Sequence, residues 1–288
     1  MAKTVLITGC SSGFGLASAR LFGERGWNVI ATMRDTAKAA DLASNDTTLV
    51  TRLDVEDQNS VDLAIAAGIE RFGIIDAVVN NAGYGLFAIF EGVSRQAIQR
   101  QFDVNLFGMM DVTRAILPHF RKNRAGTIVN MSSGAGVFGA PMASAYSASK
   151  FAVEGFSEAL SYELAALGIR VKLIEPGGAP NTGFVTRSGT EGSVVPIDAD
   201  YYPFLEHISQ IYGGMAGGAD PDAIQKVAGA VFEAATDGSD RLRYVPTDDV
   251  RPLLDARWQT SEEQYEAVVR GLFSSPAPAH PAHRSIFT

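Results

Sequence analysis

Lys3-Thr-Val-Leu-Ile-Thr-Gly-Cys-Ser-Ser-Gly-Phe-Gly15 is the stretch from which the organisation of the chain can be inferred. A short apolar run ends at a glycine, a helical pattern covers about residues 14–26, and a second apolar run covers 28–32. This order predicts a strand, a helix and a second strand. Gly9, Gly13 and Gly15 fall in the turn, where glycine lets the backbone approach a pyrophosphate and the helix N-terminus favours its negative charge. The stretch therefore predicts a nucleotide-binding turn.

The same alternation continues along the chain. Helical patterns are predicted at residues 36–44, 58–72, 94–122, 143–167 and 221–236, and strands at 48–53, 77–80, 127–131, 170–174 and 241–245. Nearly all-apolar strands separated by helices indicate a parallel sheet covered on both faces. We predict a doubly wound α/β (Rossmann) fold with a seven-stranded parallel sheet.

The predicted sheet defines one catalytic domain, residues 1–245, with a substrate lid at about 178–220. Within that span the alternation is lost and glycines accumulate, notably in Gly213-Gly-Met-Ala-Gly-Gly218, which is typical of a hinged segment. We expect residues 246–288 to form a C-terminal extension packed on the same domain. Its end, Ser274-Ser-Pro-Ala-Pro-Ala-His-Pro-Ala-His283, is proline-rich and is expected to be flexible.

Composition narrows the classes of function. The 288 residues carry a formal net charge of −8, and no Lys/Arg-rich run occurs, so nucleic-acid binding is disfavoured. Cys10 is the single cysteine, which excludes an intrachain disulfide and a thiolate metal cluster, and we expect no metal. The N-terminus lacks a signal-peptide pattern, and the uncharged stretch 125–149 is too polar to span a bilayer. We expect a cytoplasmic protein without membrane segments.

Tyr146-Ser-Ala-Ser-Lys150 places a phenol and an ammonium group four residues apart, on one face of a predicted helix. A nearby positive charge favours the phenolate, so Lys150 is expected to lower the pKa of Tyr146. With this lowered pKa, the pair is suited to transfer a proton to or from a bound ligand. Taken alone, the spacing is also compatible with an ordinary helix face.

Three motifs together resemble the short-chain dehydrogenase/reductase family over about residues 3–180: Thr8-Gly-x-x-x-Gly-x-Gly15, Asn80-Asn-Ala-Gly83 and Tyr146-x-x-x-Lys150. The resemblance implies hydride transfer to or from a nicotinamide, with Tyr146 exchanging a proton with the substrate oxygen. It also implies that Ser133 contacts that oxygen and that Asn105 holds a water in a relay to Lys150. Ser132 competes with Ser133, but the spacing to Tyr146 favours Ser133.

The resemblance also implies a set of cofactor-binding residues. They are Gly9, Ser11, Ser12, Gly13, Phe14, Gly15, Arg34, Asp54, Val55, Asn81, Ala82, Gly83, Tyr146, Lys150, Pro176, Gly177 and Thr182. Asn80 and Asn81 have a structural alternative, which is to brace the central sheet. Thr182 follows Pro176-Gly177 at a longer distance than is usual in the family.

The end of the second predicted strand bears on the choice of cofactor. Met33 occupies the position where NAD-preferring relatives carry an acid, and Arg34, which follows it, can accommodate a 2′-phosphate. We predict NADP, with NAD less favoured. The alternative is that Arg34 is a solvated loop residue and Asp35 binds the ribose.

The chain also resembles the branch of the family that contains retinol and hydroxysteroid dehydrogenases, which implies an apolar alcohol or ketone as substrate. Eleven apolar or aromatic side chains are candidates for the substrate pocket, and the alternative for each is a place in the core. They are Tyr84, Leu86, Phe87, Val137, Phe138, Met142, Phe184, Tyr201, Tyr202, Phe204 and Leu205.

Two other functions are alternatives to hydride transfer. One is an NADP-binding regulatory sensor without turnover, which needs the glycine turn but not the four catalytic residues. The other is an epimerase or dehydratase of the extended branch, which the glycine spacing opposes. The family resemblance further implies a homodimer or homotetramer, paired through the helices that begin near Ser94 and Ala143.

Overall fold

The computed structural model describes residues 2–39, 42, 44–178, 197–217 and 220–274. Within them, seven parallel strands form one sheet in the order β3-β2-β1-β4-β5-β6-β7. The strands are β1 (Thr4–Ile7), β2 (Asn28–Met33), β3 (Thr48–Arg52), β4 (Ala77–Asn80), β5 (Gly126–Met131), β6 (Ile169–Ile174) and β7 (Arg243–Tyr244). The order reverses between β1 and β4, the point at which doubly wound sheets bind their ligands. The predicted fold is confirmed.

Helices cover both faces of this sheet. They are α1 (Gly13–Glu24), α2 (Gln58–Phe72), α3 (Arg95–Phe102), α4 (Gly108–Asn123), α5 (Ser144–Ala165), α6 (Tyr202–Gly217), α7 (Ala223–Thr236), α8 (Arg251–Gln259) and α9 (Glu262–Phe273). One face of the sheet packs against α1 and α7, and the other against α2, α4 and α5. In β1, Val5 and Ile7 enter the first of these cores and Leu6 the second, as the two-residue period of a strand requires.

Three predicted elements differ from the structure. The helix expected at 36–44 is a single short helical turn, Thr36–Lys38, and the Asp35 carboxylate caps its start. The helix expected at 94–122 is interrupted by a wider π-helical turn, Asp103–Phe107. The seventh strand, predicted at 241–245, covers only Arg243–Tyr244, and the carbonyl groups of Ser239 and Arg241 before it accept hydrogen bonds from Lys172 Nζ at 2.6 and 2.8 Å.

The C-terminal helices α8 and α9 pack beside the carboxyl ends of β5 and β6. Leu253, Leu254 and Phe273 share a buried cluster with Phe138 and with Ile208 of α6. A capping box at Ser261 and Gln264 starts α9. These helices therefore contribute to the wall above the sheet edge where the predicted site residues lie.

Candidate active site

A cavity of about 420 Å³ opens at the carboxyl ends of the strands. Most of the predicted cofactor-binding residues line it, namely Gly9, Ser11, Ser12, Gly13, Phe14, Arg34, Asp54, Val55, Asn81, Ala82, Gly83, Tyr146, Lys150 and Pro176. Gly15 and Gly177 do not line it, and Thr182 lies outside the described residues. Asp35, the alternative ribose-binding residue, also lines it, and the lining residues that the sequence interpretation missed as binding residues are Met33, Lys38, Leu53, Glu56, Val104, Met131 and Ser132.

The glycine turn between β1 and α1 depends on the absence of side chains. Gly9 and Gly13 have φ values of +75° and +55°, a region that L-residues with side chains rarely adopt. A Cβ on Gly15 would meet Gly9 O at 2.4 Å and Asn81 Nδ2 at 2.5 Å. Gly15 therefore supports the turn from behind, while Gly9 and Gly13 face the cavity.

The ends of β1 and β4 are joined by polar contacts. Thr8 Oγ1 accepts hydrogen bonds from the backbone N–H groups of Asn81 and Ala82, each at 2.9 Å. Asn81 Nδ2 donates to Thr8 O at 2.8 Å, and Asn80 Nδ2 donates to Asn130 Oδ1 at 2.8 Å. These bonds confirm the structural alternative, in which the asparagines brace the sheet, and they fix one wall of the cavity.

The end of β2 presents two cations to the cavity, Arg34 and Lys38, while Met33 is buried at 2% exposure. Asp35 also lines the cavity, but its carboxylate accepts a hydrogen bond from Ala37 N at 3.1 Å and lies 3.9 Å from Lys38 Nζ. The Asp35 carboxylate is thus engaged in its own turn.

Tyr146 lies at the inner end of the cavity and is 6% exposed. Its phenol is hydrogen-bonded to the Ser133 side chain, and its ring packs against Phe87 with 5.6 Å between centroids. Burial raises the pKa of Tyr146 to about 12, and the Ser133 contact opposes this increase. The net shift of the Tyr146 pKa is therefore upward, opposite to the lowering expected from Lys150, because the effect of burial is larger than that of the Ser133 contact.

Lys150 lies one turn after Tyr146 on α5, and its Nζ is 5.8 Å from the centroid of the Tyr146 ring. Nζ donates to Met131 O at 2.7 Å, which holds the side chain against the end of β5. Burial lowers the pKa of Lys150 to about 8, and the Glu154 carboxylate opposes this decrease. Near neutral pH the lysine is thus charged but close to its titration range.

Ser133 and Ser132 point to different neighbours. Ser133 contacts Tyr146, and its Oγ accepts from Ala135 N at 3.2 Å. Ser132 lies beside the Glu154 carboxyl group instead. The choice of Ser133 over Ser132 as the neighbour of the tyrosine agrees with this geometry.

Asn105 lies in the π-helical turn and is buried. Its side-chain oxygen accepts from Tyr84 N at 3.0 Å, and its amide donates to Tyr84 O at 2.9 Å and to Ser149 Oγ at 3.3 Å. The side chain therefore ties the loop after β4 to α5. Its predicted contact with a relay water stays a prediction.

The apolar residues considered for a substrate pocket lie in different surroundings. Tyr84 is 1% exposed and belongs to the core beneath the sheet, so a pocket role for it is wrong. Phe87 is 36% exposed beside Tyr146. Phe138 and Phe204 lie in the cluster shared with α8 and α9, and Phe184 lies outside the described residues.

The described ranges hold neither a metal-ligand cluster nor a helix suited to span a membrane. No group of three or more His, Cys, Asp or Glu side chains there is arranged to hold a metal ion. No helix of those ranges combines the length and apolar character needed to cross a bilayer.

Comparison with known proteins places this geometry in a family. The family model for short chain dehydrogenase matches residues 3–191. The uncharacterized oxidoreductase YusZ of Bacillus subtilis is 36% identical over 242 residues, covering 81% of this chain and 85% of YusZ. Human retinol dehydrogenase 8 is 42% identical over 184 residues, covering 61% of this chain and 58% of that protein.

Solved structures agree. A short-chain dehydrogenase from Streptomyces avermitilis has a TM-score of 0.78 at 31% identity, covering 94% of this chain and 98% of that one. A 3-ketoacyl-(acyl-carrier-protein) reductase from Brucella melitensis, complexed with NADH, has a TM-score of 0.61 at 34% identity, covering 64% and 78%. A serine dehydrogenase complexed with NADP+ has a TM-score of 0.62 at 31% identity, covering 65% and 77%. With its glycine turn, its Tyr146–Lys150 pair and its family-model match, the chain belongs to the short-chain dehydrogenase/reductase family of NAD(P)-dependent oxidoreductases.

Proposed function

We propose that this protein is an NADP-dependent oxidoreductase that transfers a hydride between the nicotinamide and the hydroxyl or carbonyl carbon of an apolar alcohol or ketone. The observation that carries the proposal is the hydrogen bond between the Tyr146 phenol and Ser133. Tyr146 lines the cavity, and Lys150 follows it by one turn of the same helix. Tyr146 is the general acid or base, and Ser133, Lys150 and Asn105 support it.

The residues that line the cavity fit a dinucleotide. Gly9 and Gly83 line this cavity, and they let the wall pack closely, since a Cβ on Gly9 would lie 3.0 Å from Asn81 Nδ2 and one on Gly83 would lie 3.1 Å from Asn105 Oδ1. Ser11, Ser12 and the first turn of α1 would hold the pyrophosphate. When bound, the nicotinamide supplies or accepts the hydride.

In the reducing direction, the Tyr146 hydroxyl donates its proton to the substrate oxygen as the carbonyl becomes an alcohol. Its raised pKa means that the hydroxyl carries this proton at neutral pH. Ser133 hydrogen-bonds the same oxygen and orients it toward the phenol. Lys150, held by Met131 O, places a positive charge beside the tyrosinate that forms and stabilises it.

The preference for NADP rests on charge at the end of β2. Arg34 and Lys38 both line the cavity, while the Asp35 carboxylate is engaged in the adjacent turn. Two cations favour a 2′-phosphate over a 2′-hydroxyl. Ser11 adds a hydroxyl group on the same side.

The preference for an apolar substrate rests on the surroundings of Tyr146 and on the likeness to retinol dehydrogenase 8. Phe87 packs on the phenol, and the loop after β5 carries Val137 and Phe138 into the apolar cluster with α8 and α9. A substrate with a large apolar body would bury it there. Of the lid predicted at 178–220, residues 179–196 and 218–219 lie outside the described residues, and α6 forms most of the part that is described.

We also propose a homodimer or homotetramer that pairs through α5 and the start of α4. Exposed on α5 is an uncharged stripe of small and aromatic residues, Ala148, Phe151, Gly155, Ala159 and Tyr162. Phe107, just before α4, is 47% exposed. Such apolar exposure favours association of subunits. The cytoplasmic location of the protein stays a prediction.

The test is a carbonyl and alcohol panel assayed with NADPH and NADH, using wild type, Tyr146→Phe and the control Tyr162→Phe. Tyr162 lies on the same helix and is 73% exposed. We expect NADPH-dependent reduction of apolar ketones by wild type and Tyr162→Phe, and a loss of about 100-fold or more in kcat for Tyr146→Phe. NADPH binding without turnover of any panel member would instead support the regulatory sensor.

A further inference from the structure

Two buried carboxyl groups lie behind Lys150 and have no part in the proposed hydride transfer. Glu154 follows Lys150 by one turn of α5 and is 7% exposed. Glu175 comes directly after β6 and is 0% exposed. The two carboxyl groups lie within hydrogen-bonding reach of each other.

One guanidinium group serves both carboxyls. Arg243 Nε lies 3.0 Å from Glu154 Oε2 and 3.3 Å from Glu175 Oε1, and its Nη2 lies 2.5 Å from Glu158 Oε2. The Glu158 side chain is 44% exposed, so water solvates it. The buried pair therefore shares a single arginine.

Their oxygens are incompletely satisfied. Glu154 Oε1 and both oxygens of Glu175 receive no hydrogen bond from the part of the chain that is described. Two ionised carboxylates in this position would repel each other, and Arg243 donates a hydrogen bond to Glu154 Oε2 but none to Glu175. A proton on one of them removes a negative charge and creates the missing donor. Glu175 is the fully buried member of the pair and accepts no hydrogen bond from Arg243, so we assign the proton to it. Burial and the Glu154 charge act in the same direction by raising its pKa.

The pair is coupled to the active site through Lys150. Glu154 is the carboxylate that favours the charged lysine, against the effect of burial. The other ionisable groups around this cluster are Tyr146 on the same helix, Glu175 after β6 and Arg243 on β7. From the end of β5, Met131 contributes a carbonyl group and Ser132 a hydroxyl group, neither of them charged.

We propose that Glu175 is a protonated carboxylic acid at neutral pH that donates a hydrogen bond to ionised Glu154, and that Glu154 thereby keeps Lys150 charged. Glu154 and Glu175 are positioning residues, since they act through the lysine. This proposal rests on the proposed function for one point, which is the catalytic use of Lys150. The charge of Lys150 itself can be measured without turnover.

The test follows the titration of Lys150 by NMR in protein labelled with ¹³C at the lysine Cε, with the signal assigned by Lys150→Arg. Glu154→Gln is expected to lower the Lys150 midpoint by about one pH unit or more, because the lysine loses its counter-charge. Glu175→Gln is expected to move it less than half as far, since glutamine replaces a neutral acid and still donates to Glu154. Glu158→Gln, which alters the exposed partner of the same arginine, is the matched control and should leave the midpoint unchanged.

A second readout concerns Glu175 directly. Because its pKa is raised on folding, the native state binds more protons than the unfolded state at neutral pH, and stability falls as pH rises. Glu175→Gln removes this dependence, so its Tm relative to wild type should increase from pH 6 to pH 9. This measurement stands even where Glu154→Gln fails to fold.

A Lys150 midpoint that Glu154→Gln leaves in place would overturn the proposal. So would a shift in Glu175→Gln as large as that in Glu154→Gln, or a Tm difference for Glu175→Gln that does not grow with pH. A wild-type protein that shows these titrations but reduces no carbonyl would overturn the proposed function and leave this inference intact.

Discussion

Asp249 Oδ2 accepts a hydrogen bond from the backbone N–H of Gly178 at 2.8 Å, joining the segment before α8 to the segment after β6. Thr247 Oγ1 reinforces it by accepting from Gly177 N at 2.8 Å. Gly177 is packed so closely that a Cβ there would lie 2.1 Å from Asp249 Oδ1. Residues near the start of the C-terminal extension thus hold the stretch that begins at Pro176 in the cavity wall.

Asp249→Ala is therefore expected to raise the KM for the cofactor several-fold with a smaller effect on kcat. The reason is that Pro176 and the glycines after it lose a carboxylate acceptor, a contact worth about 1 kcal/mol or more. Steady-state kinetics with varied cofactor provide the measurement. Asp248→Ala is the control, since that side chain is 85% exposed. Equal KM values in the two variants would show that the Asp249 contact does not position the cofactor.

Ser133→Ala is expected to lower kcat by about 10- to 1,000-fold, because a neutral donor to the developing charge on the substrate oxygen is lost. It should also raise the pKa of Tyr146 further, since the Ser133 contact opposes the effect of burial. Ser132→Ala, one residue earlier, removes a hydroxyl beside Glu154 and should reduce kcat far less. Single-turnover rates for both variants separate chemistry from product release. A larger loss in Ser132→Ala would reverse the roles of the two serines.

Arg34→Ala is expected to weaken NADP binding by about 10-fold or more while leaving NAD binding within a few-fold, because only the 2′-phosphate needs the cation. Lys38→Ala should act in the same direction and more weakly, since its side chain is 73% exposed. Titration calorimetry with both cofactors at two salt concentrations gives the comparison. Parallel losses for NADP and NAD would place Arg34 outside the 2′-phosphate site.

The pH dependence of carbonyl reduction should be governed by Lys150. Its pKa of about 8 predicts that kcat/KM falls as pH rises through about 8, as the ammonium group loses its proton. Tyr146, with a pKa of about 12, remains a proton donor across that range. The measurement is a pH–rate profile in the reducing direction from pH 6 to pH 10. A profile that stays flat through pH 9 contradicts the assignment.

The same shift has a consequence for stability. The pKa of Lys150 is lower in the folded state, so between about 8 and the model-peptide value of about 10.4 the unfolded state binds more protons. The contribution of this group to the free energy of unfolding therefore increases across that range. Lys150→Met should remove the increase, and chemical denaturation at pH 7 and pH 10 would detect the difference.

Gly15→Ala is expected to destabilise the protein by about 1–3 kcal/mol, because its Cβ would overlap Gly9 O and Asn81 Nδ2. Gly23→Ala lies on the same helix and meets nothing within 4 Å, so it should be neutral or stabilise by up to about 1 kcal/mol. Urea unfolding of both variants measures the contrast. Similar values for the two would mean that the turn behind Gly9 can relax.

Much of the fold and of the candidate site could be predicted from sequence because the signals are local. Strands buried on both faces read as continuous apolar runs, and the glycine turn and the Tyr146–Lys150 spacing depend on residues close together in the chain. The order of the strands in the sheet was not predicted, because it depends on contacts between residues that are far apart in the chain. At Thr36–Lys38 the sequence pattern predicted a longer helix than the single turn that the Asp35 carboxylate caps.

The sequence by itself determined which groups are available at the sheet edge: the glycines, Ser133, Tyr146, Lys150 and Arg34. Only the tertiary structure decided their electrostatics, because desolvation depends on everything that packs around a group. Burial raised the pKa of Tyr146 where a charge argument along one helix predicted the opposite. Residues distant in sequence, Glu175 and Arg243, meet Glu154 one turn behind Lys150, and nothing in the local sequence pattern indicated that contact.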